Sequence, residues 1–160
     1  LKTASLFKWC LRAPFIASQR YEPPLHAVLE EMGTLLGQLF QRSDDLLDFN
    51  IRNYENKAVL GDLKSGYLNS FAAFLSQTWA SESRAKLKEI QTMEELYGLS
   101  DGKEKFLEIV KKFDEKNVLL IQLYQHHLKT VEKFLVGSEL NLLKKIEPLT
   151  EILYWRKKPE

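Results

Sequence analysis

From Lys103 onward, apolar residues recur at Phe106, Val110, Phe113, Leu120, Tyr124, Val131 and Leu135. Steps of three, four and seven keep these side chains on one face of a 3.6-residue helix. A strand would send successive side chains to opposite faces, and no segment of the chain alternates in that way. Gly137 ends the pattern, and a last helix with Leu142, Ile146, Leu149 and Leu153 on one stripe is expected after it. Upstream, residues 1–19 read as a short helix. The "YEPPL" of residues 21–25 is a break, because Pro23 and Pro24 cannot continue a helix. A second helix is expected from about His26 to Asp48. Residues 49–69, with weak periodicity, Gly61, Gly66 and several Asn, read as a loop that has room for one helical turn. Residues 70–81 and 82–97 are expected to be helical. "YGLSDGK" reads as a turn with Ser100 or Asp101 as N-cap of the long helix. The expected fold class is all-α, a helical bundle.

The 160 residues suffice for one domain with a real core, and 44% hydrophobic residues argue against disorder. A net charge of +1 gives no global reason to expect nucleic acid or an anionic membrane as partner. No apolar run reaches the roughly 18 residues of a membrane span. Cys10 is the single cysteine, which rules out an internal disulfide framework and is compatible with a cytoplasmic location. The chain starts without methionine and without a signal-peptide pattern, and is expected to begin inside a larger protein.

The second helix carries the unusual chemistry. In "GTLLGQLFQRSDDLLDFN", residues 33–50, Thr34, Gly37, Gln41, Asp44, Asp45 and Asp48 fall on one side of a wheel of about 100° per residue. Leu35, Leu36, Leu39, Phe40, Leu46 and Leu47 fall on the other. One reading is an amphipathic helix with a wet face. Against it, wet faces carry Lys, Glu and Arg, whereas aspartate is a poor helix former and like charges one turn apart repel. Ser43 could cap a new helix here, but the leucine period runs straight through it. Asp44 and Asp48 stand one turn apart on one face, a spacing that suits a hard cation. Mg²⁺ uses one or two carboxylates and completes its shell with water and phosphate oxygens. Such a group is half a site, and a phosphorylated ligand also needs cations; Lys2, Lys57 and Lys64 are available.

The remaining conspicuous residues have plainer readings. His126 and His127 are neighbours and cannot share a metal within a helix. His26 is expected at a helix start. Cys10 reads as a packed small hydrophobe, and Trp9, Trp79 and Trp155 as core or interface anchors. The "YWRKKPE" tail, with Arg156 and Lys157, reads as a frayed basic end.

Three blocks in order resemble the trans-isoprenyl diphosphate synthases, the polyprenyl synthetase family. "GQLFQRSDDLLDF" is similar to that family's second aspartate-rich motif, with Phe40, Gln41, Asp44, Asp45 and Asp48 in register. "LKTASLF" resembles the preceding KT segment through Lys2 and Thr3. "NKAVLGDLKSGYLNS" resembles the following loop through Lys57, Asp62 and Gly66. The family's glycine before the lysine is Asn56 here, its second lysine is Tyr67, its Thr is Asn69 and its Pro is Phe71. The resemblance is expected to extend over nearly the whole chain, as the C-terminal half of an isoprenoid-synthase-type fold. Residues 1–160 would then be the C-terminal portion of a single all-helical prenyltransferase domain.

The resemblance implies condensation of isopentenyl diphosphate with an allylic diphosphate, Mg²⁺ as cofactor, and polyprenyl diphosphates as products. Asp44, Asp45 and Asp48 would bind Mg²⁺ directly or through water. Lys2 and Lys57 would contact diphosphate. Thr3 and Gln41, with Lys2, would serve the catalytic cavity. The fragment alone would be inactive. A homodimer is expected, with a heteromer as the alternative. The alternative functions are a non-catalytic partner subunit of such a synthase and a related terpene cyclase.

Overall fold

The computed structural model describes residues 2–49, 60–65, 69–78, 89–99 and 102–155. Among them the regular elements are all helices: α1 (Lys2–Ala17), α2 (Pro23–Leu47), α3 (Gly61–Lys64), α4 (Ser70–Thr78), α5 (Met93–Tyr97), α6 (Gly102–Glu132), a 3₁₀ turn (Gly137–Glu139), α7 (Leu140–Ile146) and α8 (Leu149–Trp155). The all-α class holds, and no helix of the described residues is long and apolar enough to cross a membrane. Contacts divide the chain into two units, residues 1–41 with 117–156 and residues 42–116 with 157–160.

In the first unit, Leu25, Leu29, Met32, Leu36 and Leu39 of α2 are sealed from solvent. They join Leu11 and Phe15 of α1 and Leu120, Tyr124, Leu128 and Val131 of α6 in one cluster. The stripe on α6 is thus a core face. The Tyr124 hydroxyl donates to the Ile146 carbonyl at 2.8 Å, which satisfies a polar tip inside the cluster. Burial pushes its acid dissociation well above the ordinary phenol range. In the second unit, Phe49, Phe71, Phe106 and Phe113 pack with Leu60, Leu75, Met93 and Leu96. Phe71 meets Phe49, Phe106 and Phe113 edge-on, with ring centroids 4.8, 5.9 and 5.0 Å away. Edge-to-face geometry matches the ring quadrupoles.

Several element boundaries differ from expectation. α2 begins at Pro23, not His26, because proline is tolerated in a first turn whose amides lack helical partners. α6 ends at Glu132, five residues before Gly137. Gly137 has φ +56, a left-handed conformation that glycine adopts freely, and opens the 3₁₀ turn. The expected last helix is split into α7 and α8 around Pro148, which has no N–H to give the Lys144 carbonyl. Its stripe still packs on the first cluster through Leu142, Ile146, Leu149 and Leu153. The expected 82–97 helix does not run through 90–92. Thr92 is extended (φ −133, ψ 159) and caps α5 at Glu95, whose side chain returns to the Thr92 amide. Residues 79–88 and the proposed caps Ser100 and Asp101 lie outside the described residues, as do Gly66, Arg156 and Lys157.

Cys10 is exposed and Trp9 is 66% exposed, so neither is core. α1 buries Ala4, Leu11 and Phe15, and Trp9 and Cys10 fall on its other side. Trp79 and the Trp155 side chain lie outside the described residues. His26 is in the first turn of α2. Its Nδ1 accepts from Arg12 Nε (3.2 Å) and its Nε2 meets the Arg20 carbonyl (2.7 Å), which selects the Nε2–H tautomer.

Gly37, placed by the wheel on the polar stripe, is buried against α1. A Cβ on it would stand 2.5 Å from Ala4 Cα, and one on Gly33 would stand 2.5 Å from the Lys8 nitrogen. These glycines exist for a close helix crossing rather than for a wet face. Gly37→Val should therefore force α1 and α2 apart. Overpacking of this kind costs about 1–3 kcal/mol, more than the gain in helix propensity. Urea denaturation should show the loss, while Gly137→Ala, where nothing stands within 4 Å, should cost only the left-handed backbone strain.

Candidate diphosphate and metal site

The leucine period runs through Ser43, which is buried, and α2 continues to Leu47 without a break. The next side chains do not form a solvated face. Asp45 is 4% exposed and Asp48 is sealed, while Asp44 is half-buried. A buried carboxylate has to accept hydrogen bonds to offset its lost hydration. The chain supplies backbone amides for this purpose. Asp45 Oδ2 accepts from the Ser70 amide at 2.8 Å. Asp48 Oδ1 accepts from the Asp62 amide at 3.1 Å, and its carbonyl accepts from the Leu60 amide at 2.6 Å.

These amides belong to helix starts that otherwise lack partners. Ser70 opens α4, and Asp62 lies in the first turn of α3. Asn69 completes the α4 cap, its Oδ1 accepting from the Ala72 amide at 2.7 Å. Its Nδ2 donates to the Asp45 carbonyl (3.2 Å) and to Asp62 Oδ2 (3.1 Å). Leu60, with φ +59 in the left-handed region, is held by its bond to Asp48 and by full burial of its side chain.

Arg42 sits beside this network. Its guanidinium carbon lies 3.7 Å from the Phe113 ring centroid, and Nη2 donates to the Phe113 carbonyl at 2.6 Å. Burial lowers its pKa, and the charges of Asp45 and Asp114 act in the opposite direction. It remains a cation at neutral pH. In its own unit it therefore ties the end of α2 to α6 and gives Asp45 a positive neighbour.

Of the other sequence-derived site residues, Thr3 is half-buried in the first turn of α1 and Gln41 is exposed on α2. The first turn of α1 crosses α2 at Gly37, one helical turn before Gln41. The Lys2 side chain and Lys57 lie outside the described residues. Among the described residues, no three His, Cys, Asp or Glu side chains converge into a group able to hold a metal ion by themselves. A cavity of about 650 Å³ is lined by Gln125, Lys129, Glu132, Asn141, Lys144 and Glu147, none of them a residue singled out for the site. Arg42 was missed in the sequence, and Asn69 was noticed only as a departure. An Asn two places before a buried aromatic, at the start of an apolar run, is itself an N-cap signal.

The sequence pattern of the Polyprenyl synthetase family matches residues 1–110. The chain belongs to the polyprenyl synthetase family. The match takes in all three motif blocks and ends inside α6, so it covers 110 of the 160 residues rather than nearly the whole chain. No curated protein and no solved structure matches.

For this polyprenyl synthetase chain, the implied Mg²⁺ can be tested against the donor set. Three carboxylates stand at the C-terminal end of α2, where the helix dipole is negative and disfavours them. Asp45 and Asp48 each hold a backbone amide, and Asp44 is the least buried of the three. This does not fit a closed protein cage. It fits an open site in which one or two carboxylates meet a cation whose shell is otherwise water and diphosphate oxygen.

The geometry around Arg42 gives a direct expectation. Arg42→Lys keeps the charge but loses the planar stack on Phe113 and the aimed N–H to its carbonyl. It should lower stability by about 1–3 kcal/mol in urea titrations, since a half-buried carbonyl loses its donor and a ring loses its cation.

Proposed function

We propose that the full-length protein is a Mg²⁺-dependent prenyltransferase that extends an allylic diphosphate with isopentenyl diphosphate. The observation that carries this reading is the family match over residues 1–110, which contains Lys2, Thr3, Gln41, Asp44, Asp45, Asp48 and Lys57 in motif order. Residues 1–160 form the C-terminal portion of its helical domain. The helices and their aspartate-ended α2 support it.

In this reaction the allylic C–O bond breaks, and its electron pair leaves with the diphosphate. The double bond of isopentenyl diphosphate attacks the allylic cation and forms the new C–C bond. A proton is then lost to the released diphosphate. Bound Mg²⁺ supplies positive charge where negative charge develops on the leaving diphosphate. On this chain, Asp44, the least buried of the three, would be the leading contact for that ion, with Asp45 and Asp48 in support, directly or through water. Lys2 and Lys57 neutralise diphosphate oxygens. Thr3 and Gln41 turn oxygen dipoles toward the allylic cation. Apolar helix walls keep water from that cation.

Two departures from the family pattern have structural explanations. Phe71 is sealed in the aromatic core of its unit, and Asn69 bonds the Asp45 carbonyl, the Asp62 carboxylate and the Ala72 amide. The other two departures, Asn56 and Tyr67, lie outside the described residues.

Asp44→Ala in the full-length protein should abolish turnover and leave the fold intact. Three clustered carboxylates repel one another, by tenths of a kcal/mol where water screens them and by more where it is excluded, as around Asp45 and Asp48. Removing one should thus leave the metal-free melting temperature unchanged or slightly raised. The upward melting shift produced by Mg²⁺ with a diphosphate analogue should disappear. Normal turnover with an intact shift would sink the reading.

A further inference from the structure

We propose that Asn69, acting with Asp62, is a positioning residue for the aspartates of α2. The inference rests on the metal reading above. An ordinary N-cap needs only the side-chain oxygen, which here accepts from the Ala72 amide at 2.7 Å. Asn69 does more. Both remaining hydrogens, on Nδ2, are directed at the acidic segment, to the Asp45 carbonyl at 3.2 Å and Asp62 Oδ2 at 3.1 Å. Threonine, the residue of the resembled family pattern, has a single hydroxyl hydrogen and cannot donate to both.

Each of these bonds ends on a group that controls an aspartate. Ser70, next in the chain, gives its amide to Asp45 Oδ2 at 2.8 Å. Residues 69 and 70 therefore grip Asp45 by its carbonyl and its carboxylate together. That double grip fixes the rotation of α2 at this turn, and so the direction of the adjacent Asp44. The second bond orients Asp62 in the first turn of α3, and the Asp62 amide in turn holds Asp48 Oδ1 at 3.1 Å. Asn69 thus reaches Asp45 directly and Asp48 through one intermediate, all inside one compact unit. Groups that orient metal-binding carboxylates typically change affinity or activity by about 10–100-fold when removed.

The test is isothermal titration of Mg²⁺ into the full-length protein in the presence of inorganic diphosphate, with thermal melts of each variant. Asn69→Asp retains the cap oxygen and loses both donors. Added negative charge alone would tighten Mg²⁺ binding, so a fall reports lost positioning. The expected result is a melt within a few degrees of wild type and Mg²⁺ affinity weakened about tenfold or more. Asp62→Ala, which leaves the cap untouched, should weaken affinity in the same direction, and Asn69→Thr should fall between Asn69→Asp and wild type. Affinity within threefold of wild type, or tighter, in both Asn69→Asp and Asp62→Ala would overturn the proposal and leave Asn69 a plain helix cap. So would failure of both to fold. Asp44→Ala is the reference: if it too leaves the isotherm unchanged, the metal reading has failed and this inference falls with it. If Asp44→Ala abolishes binding while Asn69→Asp and Asp62→Ala do not, only the positioning role is lost.

Discussion

A carboxylate removed from water has to be given hydrogen-bond donors, and the end of α2 is organised around this requirement. Asp45 and Asp48 accept from the amides that open α4 and α3. Those amides needed acceptors as much as the carboxylates needed donors, because the first turn of a helix has no internal partners for them. Each bond thus removes two penalties at once. Asn69 then cross-links the same segments, and Leu60 is drawn back onto the Asp48 carbonyl. The result is a polar junction beside a core of interlocked phenylalanine rings, where Phe71 follows directly on the Asn69–Ser70 grip.

The junction accounts for an otherwise unfavourable arrangement. Three aspartates at a helix C-terminus oppose the helix dipole and one another. Amide donors and the nearby Arg42 cation offset part of that cost. Under the proposed function, a diphosphate-bound cation would relieve the remainder. A family that handles diphosphates has a use for such an excess of negative charge, and the chain's membership in the polyprenyl synthetase family supplies the ligand chemistry that the helix alone lacks.

The other end of the same helix solves a different problem. Gly33 and Gly37 remove the side chains that would hold α1 away, so its first turn, with Thr3, lies against α2 one turn before Gln41. Small residues on that stripe and aspartates beyond it look alike on a helical wheel, since both are short and non-leucine. Their physical roles are opposite: backbone approach in one case, amide capture in the other.

What the sequence determined by itself was whatever depends on local periodicity and chain chemistry. The all-helical class, the continuity of α2 through Ser43 and the buried face of α6 from Phe106 to Val131 follow from apolar spacing, which one helix can satisfy alone. The family blocks at Lys2, Thr3, Gln41 and Asp44–Asp48 were likewise readable as residue order. Tertiary structure decided which member of each polar group faces inward. No period distinguishes Asp44 from Asp45 or Asp48; their burial depends on the amides of Asp62 and Ser70, 14 and 25 residues downstream of Asp48 and Asp45. Trp9 and Cys10 are outside and Phe71 is inside for the same reason. Side-chain chemistry sets what a residue can do, but the partner that meets it across the fold decides whether it is buried.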